Sequence, residues 1–259
     1  MFDYHIHTRI SFDSQESPEN VIRAAEVRGL REICFTDHYD FYSSRDGESC
    51  IFTPETYREN LLHLHSDTVK IRRGVEFGLT TWNQEDIVKL ENEWGFDFII
   101  GSVHSIDGID PYLPEYWEGC DEPFLKYLKE ELECVKLHRN FDVFGHINYV
   151  CKSPYNATKK PLYYGDYADI CDEIMKTLAE NGRGMEINTS GIPAVGVTLP
   201  NIDFIRRFKE LGGEIVTVGS DSHSAERIGD GIDRALEIAK EVFGYVCTFE
   251  DRKVIYHKL

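Results

Sequence analysis

The sequence predicts an α/β fold in which parallel strands and crossover helices alternate, as in a (β/α) TIM-like barrel. Three observations predict it. Short apolar runs rich in β-branched and aromatic residues recur along the chain, longer amphipathic stretches separate them, and the runs end repeatedly in histidine and carboxylate motifs. No Pro/Gly/Ser-rich linker or low-complexity stretch interrupts the rhythm, so residues 1–259 are read as one barrel domain.

Seven runs qualify as strands: FDYHIH from Phe2, EICFTDH from Glu32, VKIRRGVEFG from Val69, FDFIIGSVH from Phe96, FDVFGH from Phe141, GMEINTS from Gly184 and EIVTVGSDSH from Glu214. Segment 17–29 reads as a helix with Ser17 as cap and Pro18 at the first helical position, and segment 53–67 repeats the signal with Thr53 and Pro54. Gly29, Gly182 and Gly212 each follow a helical pattern and precede a strand, the place for a helix C-terminal glycine. The last stretch, YVCTFEDRKVIYHKL, predicts a hairpin that turns at 250–252 and closes one end of the barrel.

A hydrophobic fraction of 41% with 29% charged residues belongs to an ordinary globular protein and excludes a disordered chain. The formal charge of −18 opposes nucleic-acid binding, which calls for a basic face, and favours a small substrate. No apolar run approaches the ~20 residues that span a bilayer, and MFDYHIHTRIS is no secretory leader, so no membrane partner and a cytoplasmic location are expected. Seven cysteines without a C-x-x-C pair suggest reduced, packed thiols rather than a disulfide framework.

Six of the ten histidines stand at the ends of predicted strands: His5, His7, His38, His104, His146 and His223. Asp13, Asp37, Glu76 and Asp221 accompany them. In parallel barrels the chemistry sits at that rim, and imidazole mixed with carboxylate suits zinc, iron or manganese better than magnesium or calcium. Residues i and i+2 of a strand share a face, so His5 with His7, and Asp221 with His223, can each share an ion. His63 and His65 also read H-x-H, but on a helix they would diverge. His138 and His257 are expected at a helix surface and a terminus. Burying six imidazoles together without metal would be costly.

The blocks DYHIHTRISFD, FTDH, GVEFG, GSVHSIDG, FGHINYV, EINTSG and GSDSH, running from Asp3 to His223, resemble those of the polymerase-and-histidinol-phosphatase (PHP) superfamily, and within it the histidinol-phosphate phosphatases. The resemblance implies a distorted seven-stranded (β/α) barrel, two to three divalent or transition metal ions (Zn, Fe or Mn), and hydrolysis of L-histidinol phosphate to L-histidinol and phosphate in histidine biosynthesis. It implies that His5, His7, Glu76 and Asp221 hold one ion, Asp13, His38 and His223 a second, and Glu76, His104 and His146 a third. Glu76 would then bridge two ions. Asp37 is a possible proton donor for the leaving alcohol, with an orienting role for it equally open.

Two positions depart from the family pattern, which has arginine after the GHINYV and NTSG blocks. Here Lys152 and Pro193 occupy those stretches. Lys152 is the candidate phosphate contact, with Arg9, Arg45, Arg183 or Arg227 as substitutes should it not serve. Loop 105–119, with Ser105, Asp107, Asp110, Tyr112, Glu115, Tyr116, Trp117 and Glu118, mixes acids and aromatic rings suited to a cationic substrate, and Ser105, Tyr112 and Glu115 are its candidate contacts. The missing arginines leave open an esterase for another small phosphate, such as a sugar or nucleotide monophosphate. An amidohydrolase lacks its strand-end lysine here, and a noncatalytic polymerase-associated module would not need a full ligand set.

Overall fold

A computed structural model of the chain describes residues 1–41 and 50–259, and the βα alternation runs through it. β1 (Phe2–Ile6), α1 (Pro18–Val27), β2 (Glu32–Phe35) and β3 (His38–Tyr39) come first, followed by α2 (Pro54–Leu61), β4 (Lys70–Gly78), α3 (Gln84–Trp94) and β5 (Phe98–Ser102). Next are α4 (Pro114–Trp117), α5 (Pro123–Leu137), β6 (Val143–Phe144), α6 (Ala168–Glu180), β7 (Gly184–Asn188) and α7 (Gly191–Val195). The chain ends with α8 (Ile202–Glu210), β8 (Val216–Gly219), α9 (Ile232–Val242), β9 (Tyr245–Glu250) and β10 (Lys253–Lys258).

The barrel strands pair in parallel in the order β1-β2-β4-β5-β6-β7-β8, with β3 also on β4. The predicted run EICFTDH is therefore one strand position broken in two at Thr36 and Asp37, giving seven positions in a nearly closed barrel. The break has a local cause: the Thr36 hydroxyl accepts from the Ile6 amide at 3.0 Å. Between β1 and β8 the ladder is reduced to the His7 amide on the Ser222 carbonyl (2.9 Å) and the Asp221 amide on the His5 carbonyl (2.8 Å). That seam and the two-residue β6 are the distortions of the barrel. Strands β1, β2, β5, β7 and β8 are buried along their whole length, because helices cover the outside of a parallel sheet.

Both signalled helix starts form as expected. Ser17 accepts from the Asn20 amide and Thr53 from the Thr56 amide, each at 3.1 Å. The second helix is shorter than expected and stops at Leu61, so His63 and His65 lie beyond it, exposed, beside Glu19 (3.7 Å) and Asp67 (3.1 Å). Ser66 accepts from the amides of Thr68 and Val69, a local turn that competes with helix. His138 is likewise not at the surface: it ends α5 buried, its Nε2 2.8 Å from the Thr80 carbonyl.

The C-terminal hairpin β9–β10 turns at Asp251 and Arg252, both with positive φ, and plugs the end of the barrel where the strands begin. There the Tyr4 hydroxyl donates to Glu32 and accepts from the Phe249 amide. Arg72 lies between Glu32 (2.9 Å) and Glu250 (2.8 Å).

Candidate metal centre

The opposite end of the barrel gathers the histidines. β1 supplies His5 and its extension His7, β3 opens with His38, β4 carries Glu76, and His104, His146, Asp221 and His223 follow β5, β6 and β8. Glu76 is fully buried in the middle. Its Oε2 lies 3.1 Å from His5 Nε2, 3.6 Å from His7 Nε2 and 3.0 Å from His38 Nδ1, and its Oε1 lies 3.2 Å from His104 Nε2 and 2.9 Å from His146 Nε2. Asp221 Oδ1 approaches His7 Nε2 at 3.2 Å, and Asp13 Oδ2 approaches His223 and His38 at 3.2 and 3.7 Å.

Glu76 Oε1 is within hydrogen-bond reach of His104 and His146, whereas the spacings on its Oε2 side fit ions rather than hydrogen bonds. Two ligand atoms ~2.0–2.1 Å from one ion at a tetrahedral angle lie roughly 3.3–3.4 Å apart. The buried Nε2 atoms of His5 and His7, Nδ1 of His38 and Oε2 of Glu76 face each other at such distances without a hydrogen bond, a costly arrangement unless a cation completes it. Trios within 4.8 Å are His7–His38–His223, His5–His7–Asp221, His5–Glu76–His146 and His38–Asp40–His104. His5–His7–Asp221 falls within the first ligand set the resemblance implies, while the other three trios cut across the sets, so the residues form one continuous donor pool.

Outer groups hold the candidate ligands in place. Glu186 Oε1 lies 2.6 Å from His5 Nδ1, and its Oε2 accepts from the His146 amide at 3.0 Å. Asp40 sits 3.1 Å from His104 Nδ1. Ser11 links His7 Nδ1 (3.1 Å) to Asp37 (2.9 Å). A Cβ at Gly219 would collide with Glu186 and with His5, so only glycine lets these strands approach. Asp221 adopts φ 54°, a left-handed conformation that aspartate tolerates better than most residues.

Burial lowers the pKa of His5, but the carboxylates of Glu186, Glu76 and Asp221 outweigh it and hold the ring well above its usual range. Burial likewise opposes, and Glu76 and Asp13 overcome it, to lift His38 to about 9. Burial with the neighbouring His223 and His38 holds His7 well below its range. Burial pushes Glu76 up, but His5, His104 and His38 outweigh it and keep it well below the ordinary carboxylate range. Ionised acids beside histidines that bind protons form a pool in which metal must displace protons.

A PHP-domain family model matches residues 3–190. The chain belongs to the PHP family. Within it the chain is similar to the histidinol-phosphatase of Lactococcus lactis subsp. lactis (35% identity, 99% of this chain and 97% of the relative) and to a probable histidinol-phosphatase of Clostridium acetobutylicum (31%, 99% of each). The crystal structure of the Lactococcus histidinol phosphate phosphatase, complexed with zinc, L-histidinol and phosphate, superposes with a TM-score of 0.87 over 98% of each chain at 32% identity.

Of the PHP-type residues expected from sequence, Asp13, His38, His104, His146, Asp221 and His223 line a cavity of about 200 Å³, the space of a small molecule, and His5, His7 and Glu76 form its buried floor. Ser105, Tyr112 and Lys152 line it as well. Glu115 does not: it is exposed on α4, and Asp110, buried, is the acid of that loop that faces the cavity, with Phe12 and Tyr149. Asp37 is also turned away. Its carboxylate accepts from the Thr8 amide (2.6 Å) and from the Thr8 and Ser11 hydroxyls, an arrangement that positions Ser11 beside His7.

The Lys152 ammonium touches the candidate ligand Asp221 (2.8 Å) and Ser190 (2.8 Å) over the Tyr149 ring. Of the alternative cations, Arg9 pairs with Asn60 and Arg183 packs on Phe141 at the far end of the barrel. Arg45 lies outside the described residues. Asp40 and Glu186 were not singled out from sequence. Both stand two residues from a polar strand-end partner, His38 and Asn188, so the spacing that joined His5 to His7 also reaches them.

Proposed function

We propose that the chain is a metal-dependent phosphomonoesterase that hydrolyses histidinol phosphate to histidinol and phosphate. The observation that carries this reading is the pool of His5, His7, Asp13, His38, Glu76, His104, His146, Asp221 and His223 around a small cavity walled by Asp110 and by the rings of Phe12, Tyr112 and Tyr149. The pool has donors for two to three ions of zinc, iron or manganese, with Glu76 offering one oxygen to each side. Bound there, such ions supply acidified water and offset the charge of phosphoryl oxygens. The protein's part is positioning. Lys152 spends two of its three N–H donors on Asp221 and Ser190, which sets the direction of the Asp221 carboxylate and leaves the third for a phosphate oxygen. Asp110 and the aromatic wall suit the ammonium and imidazole of the leaving alcohol.

The test is metal analysis of the purified protein followed by phosphate release from histidinol phosphate and a panel of sugar and nucleotide monophosphates. A kcat/KM for histidinol phosphate well above the rest is expected. Preference for another ester would replace this substrate with the alternative that the Lys152 and Pro193 positions raised.

A further inference from the structure

Past Lys152 the cavity opens into a second groove of about 510 Å³, whose walls include Tyr112, Lys152, Ser190, Pro193, Asp221 and Arg227. The groove shares Tyr112, Lys152, Asp221 and His223 with the metal pocket, so the two spaces are continuous along the Asp221 side. Its two cations are committed very differently. Lys152 is part-buried and tied to Asp221 and Ser190. Arg227 ends the short helical turn Ala225–Arg227 that follows β8, with its side chain half exposed. The guanidinium faces Asp230 at 3.6 Å, beyond hydrogen-bond distance, while Asp230 is held by Arg28 at 2.7 Å. Arg227 can therefore leave Asp230 at little cost. On the neighbouring wall, Pro193 and Ala194 have no side-chain donor to offer.

An anionic substrate entering a pocket lined by Asp13, Asp40, Asp110 and Asp221 needs positive charge on its approach, and a guanidinium matches two oxygens of one phosphate at once. We propose that Arg227 is the second phosphate-binding cation of this chain, reaching the phosphoryl oxygens from the loop after β8 while Lys152 reaches them from the loop after β6. The proposal rests on the phosphomonoesterase reading, not on the identity of the alcohol.

The test measures inhibition by inorganic phosphate, KM, kcat and metal content in Arg227→Ala, Arg227→Gln and Arg227→Lys, using both histidinol phosphate and a simple aryl phosphate as substrates. Loss of one charged, partly solvated contact should raise the phosphate Ki and KM roughly tenfold in the Ala and Gln variants. Here kcat should stay within about twofold and metal content should be unchanged, with partial recovery in Arg227→Lys. Arg9→Ala, whose guanidinium is engaged with Asn60, should alter none of these values. An unchanged phosphate Ki in Arg227→Ala, or a loss of metal from it, would overturn the proposal. If the aryl ester and inorganic phosphate respond to Arg227 while histidinol phosphate is a poor substrate, the proposal stands and the substrate reading falls.

Discussion

The two ends of the barrel are equally rich in charge and solve it in opposite ways. Where the strands begin, Glu32, Glu250, Asp97, Asp142 and Glu91 each face a guanidinium, from Arg72 or Arg252, at 2.5–3.7 Å. Where the strands end, Glu76, Asp221 and Asp13 face imidazoles, and the buried Nε2 of His5, Nε2 of His7 and Nδ1 of His38 make no hydrogen bond. One end carries its cations in its own sequence and the other leaves room for them. The difference separates a structural ion network from a ligand-binding one by what faces the carboxylates, guanidiniums at one end and imidazoles at the other, rather than by the number of charges.

The contrast breaks if removing a rim ligand behaves like removing a base ion pair. Glu76→Gln should leave folding largely intact and lower both metal content and kcat/KM by more than ~10²-fold, because Glu76 faces both sides of the pool, and Asp13→Asn should cost less. Equal losses in the two variants would remove Glu76 from its central role. Next in size, Glu186→Ala should weaken metal retention against a chelator by roughly 10–100-fold, since Glu186 orients His5 and the His146 backbone without lining the cavity. Retention equal to the parent would show that the carboxylate serves packing alone.

At the base the expectation reverses. Arg72 is 6% exposed, and Arg72→Ala would leave Glu32 buried without its cation, at about 3 kcal/mol. Thermal melting should fall by roughly 6–12 °C, while kcat/KM and metal content of the folded fraction stay at parental values. Loss of metal from this variant would mean that the two ends are coupled through the strands.

The rim was legible in sequence where it is local. His5 with His7 and Asp221 with His223 declare themselves by spacing, and the strand-end placement of His38, His104 and His146 follows from the βα rhythm. What sequence could not convey is direction across the fold. The acids of loop 105–119 look alike in composition, yet Asp110 turns in and Glu115 out. Asp37 stands beside a ligand but bonds to Thr8 and Ser11, nearly 30 positions away in the chain. Asp40 and Glu186 are polar residues near strand ends whose partners, His104 and His5, are 64 and 181 positions away. The seven-strand count was legible, whereas the break at Thr36 depends on a hydroxyl meeting another strand, and the early end of α2 on the Ser66 turn.

Glu131 offers the smallest and most discriminating test, because it belongs to neither end. It is fully buried on α5, and its carboxyl oxygens accept no hydrogen bond, as the nearby Tyr127 hydroxyl donates instead to the Val103 carbonyl at 2.7 Å. Burial pushes its pKa well above the ordinary carboxylate range. The folded chain thus keeps a proton that the unfolded chain releases near pH ~4.3. Folding is favoured by this group while both states are protonated, and that advantage is lost as pH rises from the unfolded value toward the folded one. Glu131→Gln keeps the shape without titrating, so it should melt higher than the parent at pH 8 by an amount corresponding to about 1 kcal/mol, or roughly 2–4 °C. The gap should narrow at pH 5, with no change in metal content or kcat/KM. A variant less stable than the parent at pH 8 would mean that Glu131 is ionised and paired in the fold.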